Sequence, residues 1–327
     1  MMTNHPFSYK RWLIALVRWF DSQAATEQLA TGEAARKIDK LRTLPFVLIH
    51  LACLCVIWVG WSPIAVLVAI GLYLLRMFAI TGFYHRYFSH RTFKTTRVVQ
   101  FIFAVFGAAA VQRGPIWWSA HHRHHHAHSE EESDVHSPVR HGFLWSHMGW
   151  FLCQSNFATR THLAKDWMKF PELRFLDRFD IVVPLLFALS LYILGYTLQQ
   201  YAPSLATSGS QLVVWGFVIS TVILYHATFT INSLCHIWGS RRYATRDESR
   251  NNPWLAMITL GEGWHNNHHH YPRSTRQGFY WWEIDPTYYL LKIMSWLGMV
   301  WDLQPIPADI LNFRRLEKLT KHKTDRD

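Results

Sequence analysis

The sequence predicts an all-α integral membrane protein with four transmembrane helices, arranged as two hairpins beneath a helical cytoplasmic cap. Half of the 327 residues are hydrophobic and only 17% are charged, a composition that excludes a disordered chain or a collagen-like fibre. The hydrophobic residues collect in four blocks of nearly the length, about 20 residues, that a helix needs to cross a bilayer. The blocks form two close pairs, and the short segments within the pairs contain no Lys or Arg.

Residues 1–44 are predicted to be a cytoplasmic segment at the membrane interface. They contain seven basic and four acidic residues, so no cleavable targeting segment is predicted. Their apolar run, residues 12–20, is too short to span a bilayer and includes Arg18. This pattern favours a helix that lies along the membrane surface.

The four spans are predicted at residues 45–61, 63–82, 181–199 and 211–232. A turn at residues 60–63, rich in Gly and Pro, separates the first pair, and a polar loop separates the second. A further apolar run, residues 98–111, is too short to cross the membrane and is flanked by Arg97 and Arg113. It is predicted to be an amphipathic or buried helix and not a fifth span.

The distribution of positive charge predicts the orientation of the chain. Seven Lys and Arg lie in residues 1–44, twelve in 81–179 and thirteen in 233–327. By the positive-inside rule, both termini and the central segment are cytoplasmic. The net charge of +11 is attributed to attraction for anionic lipid, because no basic soluble module typical of nucleic-acid binding is found. Residues 45–305 are predicted to be the main domain, and 306–327 a basic tail.

Twenty-one His residues point to metal chemistry, whereas the four Cys lack metal-type or disulfide-type spacing. The His residues cluster at 85–90, 121–126 and 265–270. In a helix, residues at i, i+3 and i+4 share a face, so an H-x-x-H-H pattern directs three imidazoles at one point. The second cluster allows this pattern from His121 or from His122. Two such patterns and one H-x4-H give eight nitrogens, which predicts two ions of iron, copper, zinc or nickel.

The sequence motifs in and around these clusters resemble those of the membrane fatty acyl desaturases, in particular those of the stearoyl-CoA (delta-9) branch. The resemblance covers roughly residues 45–305. Its His boxes are HRYFSH at 85–90, HRHHH at 122–126 and HNNHH at 265–269, and its flanking words are SHRTFK at 89–94, SHMGW at 146–150 and GEGWH at 261–265.

The resemblance implies a di-iron centre. In the second box it favours the register that begins at His122, and it adds a ninth imidazole from the N-S-x-x-H word at 232–236, in which Asn232 would hold a water on one metal. The implied ligands are His85, His90, His122, His125, His126, His236, His265, His268 and His269. Beside the boxes, Glu130, Asp134 and Glu262 are predicted to accept hydrogen bonds from the imidazole nitrogens that face away from the metals.

The same resemblance implies the reaction. Two irons activate O2, the co-substrate, and hydrogen is removed from C9 and C10 of a saturated acyl chain to leave a cis double bond and water. The chain would lie in a bent tunnel, with Gln112 and Thr228 at the bend and Trp118 packed against it. Tyr73 and Met77 lie about one helical turn apart and are predicted at the tunnel floor. The bulk of Met77 predicts a preference for sixteen over eighteen carbons.

Acyl-CoA is the expected form of the substrate, with an acyl-carrier protein or a glycerolipid ester as alternatives. Ala120 and His121 stand where the animal enzymes have an Arg-Asp pair for coenzyme A, and Arg113 and Arg140 are candidates to pair with phosphates.

The sequence contains no haem-binding motif, no ferredoxin-like set of Cys residues and no dinucleotide-binding motif. Electrons are therefore expected from a separate donor protein. Ferredoxin, rubredoxin or a cytochrome b5-like carrier with its reductase would serve, docking on a basic patch such as Arg241 and Arg242. Together these features indicate a bacterial inner-membrane protein.

Two other classes of function share features of this sequence. A membrane di-iron hydroxylase or alkane monooxygenase shares the His-rich architecture but leaves oxygen in its product, and the word at 232–236 favours desaturation. A His-rich metal transporter should carry polar groups at mid-membrane. Only His50, Arg76 and His226 qualify, without an evident carboxylate partner.

Overall fold

The structure is a computed structural model that describes residues 9–24 and 37–313. Within these residues the protein is mostly helical. Its two strands, β1 (Lys94–Thr95) and β2 (Val300–Trp301), form one short antiparallel sheet. The predicted all-α class is therefore confirmed for the described part of the chain. Most of the predicted C-terminal tail, from residue 314 onwards, lies outside it.

Four helices of the described residues are long and apolar enough to cross a membrane. The first to fourth spans, as they are called below, are Lys40–Val59, Pro63–Ser89, Val182–Tyr201 and Gly209–His236. They overlap the four predicted blocks, but the second and fourth spans continue beyond them into the His-rich region. The second span begins with residues that favour a helix N-terminus. The side chain of Ser62 accepts a hydrogen bond from the backbone N–H of Ala65 at 3.1 Å, and Pro63 occupies the first turn.

The remaining helices of the described residues are shorter than the four spans. They are Tyr9–Phe20, Arg97–Ala108, Pro115–His128, Pro138–His141, Trp145–Gly149, Trp150–Leu152, Gln154–Asn156, Thr161–Leu163, Pro171–Arg178, Pro203–Leu205, Pro253–Ile258, His265–His270, Pro286–Trp296 and Ala308–Asn312. The apolar run at 98–111 thus forms a helix of twelve residues, which is too short to be a fifth span, as predicted.

The third and fourth spans approach each other closely at two glycines. A Cβ at Gly195 would lie 2.5 Å from the carbonyl oxygen of Ser208, and a Cβ at Gly209 would lie 2.7 Å from that of Tyr192. Only glycine allows backbones to approach to this distance, as is common between membrane helices.

Arg76 of the second span is buried, with 1% of its surface exposed. Its guanidinium donates to the carbonyl oxygen of Ala109 at 3.1 Å, to the hydroxyl of Thr221 at 2.6 Å and to the hydroxyl of Ser220. It also lies 5.1 Å from the ring centre of Phe187. Neutral oxygens and an aromatic face therefore take the place of a carboxylate partner in the membrane.

An aromatic core supports the C-terminal end of the second span. The rings of Phe83 and Phe103 stack at 4.0 Å, and Phe83 also contacts Phe93 at 5.5 Å. Tyr84 donates from its hydroxyl to the carbonyl oxygen of Ala104 at 3.1 Å. Packing of this kind holds the helix end that carries the first His box.

Candidate metal centre and its cavity

The structure brings nine imidazoles together in two groups. Within each group, ligand atoms lie within 4.8 Å of one another. The first group contains His85, His90, His122, His126 and His268, and the second contains His125, His236, His265 and His269. These are the nine imidazoles named as ligands from the sequence.

The two histidines of the first box, five residues apart, are brought together by the π-helical end of the second span, Ala79–Ser89. The backbone N–H of His90 donates to the carbonyl oxygen of His85 at 3.2 Å. In a π-helix, residues five apart are joined by such a bond and lie about one turn apart, whereas an α-helix would rotate them by roughly 140°. The two rings accordingly lie 5.0 Å apart.

The helix Pro115–His128 carries the second box in the register that begins at His122. The ring of His122 lies 4.4 Å from that of His85. His121 instead donates from Nδ1 to the carbonyl oxygen of Trp117 at 3.0 Å, and His124 contacts the carbonyl oxygen of Ser133. The structure therefore separates the two registers that the sequence pattern allows.

Distances between the imidazoles suit a shared metal. A metal that binds imidazole at about 2.1 Å, with ligands at right angles, separates their nitrogens by roughly 3.0 Å. The Nε2–Nε2 distances are 3.1 Å for His85 and His268, 2.8 Å for His90 and His122, 2.9 Å for His126 and His268, and 3.1 Å for His236 and His265. Nε2 of His269 is buried and has no hydrogen-bond partner among the described residues. Such a nitrogen set fits iron, copper, zinc or nickel.

The protonation state of these imidazoles also suits metal binding. Burial lowers the pKa of His122, His126, His265 and His268 well below the ordinary value. They are therefore neutral near pH 7, and a neutral imidazole has the free lone pair that a metal requires.

Three imidazoles have a carboxylate at the ring nitrogen that faces away from their group. The pairs are Glu262 with His85, Asp134 with His125 at 3.1 Å, and Glu130 with His236 at 3.3 Å. These are the three acids singled out in the sequence. Each contact fixes which nitrogen carries the proton and which is free for a metal.

A fourth carboxylate, Asp247, was not found from the sequence. Its Oδ2 lies 2.5 Å from Nδ1 of His269, and its Oδ1 accepts from the backbone N–H of Ser249 at 3.1 Å. Burial alone would raise the pKa of Asp247, but His269 and the hydrogen bonds lower it below the ordinary value. Asp247 lies in a loop 22 residues before His269 in sequence, and no motif marks it.

Glu262 is held in turn by buried polar groups that sequence reasoning also missed. Arg86 donates to Glu262 at 3.1 Å and to Asp285 at 2.9 Å, and Gln277 donates to Glu262 at 3.1 Å. Burial opposes the charged form of Glu262, whereas His85 and Arg86 stabilise it, and its pKa is lowered. The first group therefore has a rigid, ionised support.

A cavity of about 280 Å³ adjoins both groups. Its lining includes His85, His122, His125 and His265, and it continues past aromatic side chains to Arg18 of the N-terminal helix. The lining is mostly apolar, which suits a hydrocarbon chain better than a polar substrate.

Most residues predicted to bind substrate line this cavity. Met77, Gln112, Trp118 and Thr228 do so, as does Asn232. Nε2 of Gln112 donates to the hydroxyl of Thr228 at 2.7 Å, so the two polar residues predicted at the bend are in direct contact.

Tyr73, predicted beside Met77 at the tunnel floor, is not among the lining residues. Its hydroxyl donates to the carbonyl oxygen of Ile258 at 2.5 Å. The two residues share a helix face, but the longer side chain of Tyr73 extends to the segment Pro253–Ile258 and away from the cavity.

The basic residues predicted to bind partners are all engaged within the protein. The pairs are Arg241 with Glu248 at 2.8 Å, Arg242 with Glu283, Arg113 with Asp180 at 3.0 Å, and Arg140 with the carbonyl oxygen of Glu130 at 2.8 Å. Arg242 and Arg113 therefore have structural contacts that a docking role would have to share.

Comparison with known proteins assigns the chain to a family. The family described as "Fatty acid desaturase" matches residues 59–294. A palmitoyl-monogalactosyldiacylglycerol delta-7 desaturase of Arabidopsis thaliana is 38% identical over 249 residues, which cover 75% of this chain and 63% of that protein.

Two further relatives cover more of their own length. An acyl-CoA C20 Delta5-desaturase of Anemone leveillei is 37% identical, covering 72% of this chain and 71% of the relative. An sn-2 palmitoyl-lipid 9-desaturase of Nostoc sp. (strain 36) is 35% identical, covering 73% of this chain and 81% of the relative. With the matched region containing all three His boxes, the chain belongs to the fatty acid desaturase family.

Proposed function

We propose that the protein is an O2-dependent di-iron desaturase that introduces a cis double bond at position 9 of a saturated fatty acyl chain carried as acyl-CoA. The observation that carries the proposal is the placement of two imidazole groups beside one buried, mostly apolar cavity. Metal ligands and a hydrocarbon site are the two parts that oxidation of an unactivated methylene requires.

One iron would be held by the first group and the other by the second, where Asn232 would hold a water. When bound, the irons supply the redox chemistry that activates O2 for hydrogen removal. Glu262, Asp134 and Glu130 keep the ligating imidazoles in one tautomer and one orientation, as does Asp247 for His269.

The cavity would orient the acyl chain and exclude water from the reacting carbons. Gln112 and Thr228 support its bend through their mutual hydrogen bond. Trp118, whose ring stacks 5.1 Å from that of His122, would pack against the chain beside the metals. Met77 would close the cavity and set the chain length.

Position 9 and the acyl carrier are the finer parts of the proposal. The relatives are named for positions 5, 7 and 9, and for both acyl-CoA and acyl-lipid substrates. Position 9 is supported by the resemblance of the flanking words to the stearoyl-CoA branch.

Two electrons must come from outside the substrate. Reduction of O2 to two waters takes four electrons, and forming one double bond supplies two of them with two protons. A ferredoxin, rubredoxin or cytochrome b5-like carrier with its reductase would deliver the other two, accompanied by two protons. We also propose that both termini lie in the cytoplasm and that the protein lies in a bacterial inner membrane. The four helices long and apolar enough to cross a membrane and the distribution of Lys and Arg in the sequence support this orientation.

The fatty-acid profile of a host that makes the protein tests this function. Double bonds are located by mass spectrometry, and the same host making His268→Ala is the comparison. A cis-9 monoene that is lost in the variant is the expected result. Hydroxylated chains would indicate a monooxygenase, and an unchanged profile in a host with a suitable donor would refute desaturation.

A further inference from the structure

The helix Tyr9–Phe20 carries an apolar stripe that the described residues leave uncovered. Leu13, Leu16, Val17 and Phe20 have the spacing i, i+3, i+4 and i+7, which places their side chains on one face of the helix. Their exposed fractions are 50%, 44%, 47% and 57%. An exposed apolar face of this kind marks a surface that contacts a membrane or another molecule.

The other side of the same helix borders the cavity. At about 100° per residue, Arg18 and Trp19 point away from the stripe, and both line the cavity that adjoins the imidazole groups. The indole Nε1 of Trp19 donates to the carbonyl oxygen of Leu41 at 3.1 Å. Leu41 lies in the first turn of the first span, so the helix lies beside the end of that span. The helix is thus a wall between the cavity and the material that covers the stripe.

The surroundings and composition of the helix identify this material as lipid. The first span, beside which the helix lies, exposes Leu48 and Leu51 by 50% and 56%, so an apolar surface continues from the stripe into a membrane-spanning segment. Residues 9–20 contain three basic residues, two Trp and no acidic residue. Basic residues suit anionic head groups, and Trp is common where lipid meets water. Together with an apolar stripe, they are typical of helices that lie in the membrane interface.

We propose that the helix Tyr9–Phe20 lies in the bilayer surface and is a gate through which an acyl chain passes from the lipid into the cavity. When the helix moves aside, the cavity opens to the membrane interface. An acyl chain that enters from the bilayer does not have to cross water, which its apolar surface disfavours. The passage of an acyl chain rests on the proposed desaturase function, whereas the contact with lipid does not depend on it.

The contacts that close the gate lie just after the helix, and we call them the latch. Asp21 pairs with Arg178 at 2.7 Å, and the side chain of Arg178 is 49% exposed. Ser22 donates from its backbone N–H to the carbonyl oxygen of Arg178 at 2.9 Å and from its hydroxyl to that of Asp177 at 3.0 Å. Exposed ion pairs stabilise a structure only weakly. The latch can therefore open without disturbing the rest of the fold.

Spin-label accessibility tests the contact with lipid. Leu16→Cys and Val17→Cys are labelled in the full chain carrying Cys53→Ala and Cys55→Ala, since the other two Cys are buried. The protein is placed in bilayers of phosphatidylcholine and phosphatidylglycerol. Both labels should respond strongly to O2, which concentrates in lipid, and weakly to a water-soluble nickel chelate. Asp302→Cys, at an exposed ion pair, should show the reverse. A stronger response to the nickel chelate, or a weak response to both reagents, would mean that water or protein covers the stripe and would overturn the proposal.

Binding kinetics test the gate without turnover. In the same bilayers, without an electron donor, cis-parinaroyl-CoA is mixed with the protein by stopped flow. Energy transfer from Trp117, Trp118 and Trp150 of the cavity lining reports its arrival, and the part of the signal that palmitoyl-CoA displaces is the specific part. Asp21→Cys and Arg178→Cys, joined by a bifunctional methanethiosulfonate, lock the latch. The lock should slow association and dissociation by about tenfold or more without changing the affinity, and dithiothreitol should restore both rates.

Two further variants control for the crosslink and for the latch. The same crosslink between Lys94→Cys and Asp302→Cys, an exposed pair at 2.8 Å outside the cavity lining, should leave both rates unchanged. Arg178→Gln removes the ion pair and should raise both rates by up to about severalfold.

Unchanged rates in the locked protein, with displaceable binding intact, would overturn the gate alone. A wild type without displaceable binding would overturn the gate together with the proposed function. Slowed rates in the locked protein beside an unchanged lipid profile would support the gate and count against desaturation only.

Discussion

The strongest quantitative prediction concerns Asp247, which the sequence did not reveal. Asp247→Asn replaces a carboxylate by an amide of the same shape, so the contact with Nδ1 of His269 loses its charge but not its volume. Mutation of a carboxylate that accepts a hydrogen bond from a metal-ligating histidine lowers the affinity of the site for its metal by about 10- to 100-fold, or roughly 1.4–2.7 kcal/mol. Only the second imidazole group should be affected, because His269 is not a member of the first.

The measurement is metal content against free Fe²⁺ in a chelator-buffered titration of the purified protein. The wild type should fill two sites, and Asp247→Asn should fill one normally and the other at 10- to 100-fold higher free metal. Asp302→Asn, which alters an exposed partner of Lys94, is the matched control. Two unchanged sites in Asp247→Asn, or equal weakening of both, would refute the assignment of His269 to a separate group.

Three further predictions use the same protein. Burial raises the pKa of Asp177 to about 6, above its ordinary value near 4, so ionisation opposes folding. Asp177→Asn, which can still accept from the backbone N–H of Trp117, should raise the free energy of unfolding by up to about 3 kcal/mol above pH 6. The gain should shrink as the pH falls from 6 towards 4 in denaturation measured across that range. Arg76→Leu leaves the buried hydroxyl and carbonyl groups bound by Arg76 without a hydrogen-bond donor and should lower the free energy of unfolding by about 3 kcal/mol. The loss should be measurable as faster thermal inactivation, and Arg76→Lys should lower the stability by less. Met77→Ala lengthens the cavity and should shift products from sixteen towards eighteen carbons by severalfold in palmitoyl and stearoyl competition, and an unchanged ratio would remove Met77 from the cavity end.

The residues of the imidazole groups could be predicted from the sequence because most of them lie close together in short motifs. In the second and third boxes, the spacing of three and four residues identified the imidazoles that contribute to the groups. The expectation that each box directs its three imidazoles at one point was wrong, because both boxes are divided between the groups: His122, His126 and His268 belong to the first, and His125, His265 and His269 to the second. The first box is different, since H-x4-H does not lie on one face of an α-helix. A π-helical stretch brings His85 and His90 together, and the spacing of the two residues does not predict that winding.

Residues that act across the fold were missed for the corresponding reason. Asp247, Gln277 and Asp285 lie in loops that match no motif. Gln277 and Asp285 are far in sequence from the residues of the first box that they contact, His85 and Arg86. Tyr73 was misplaced because helical periodicity gives the direction of a side chain but not its length. The engagement of Arg242 by Glu283 likewise depends on two loops that only the folded chain brings together.

The π-helical end of the second span relates the number of residues between His85 and His90 to the positions of their imidazole rings. Each π turn accommodates one residue more than an α turn. A chain that lost one residue between His85 and His90 could therefore still align both rings, but only by tightening this stretch into an α-helix. The interval of four residues in the first box is therefore matched to the π-helical winding of this stretch, which brings the rings of His85 and His90 to 5.0 Å.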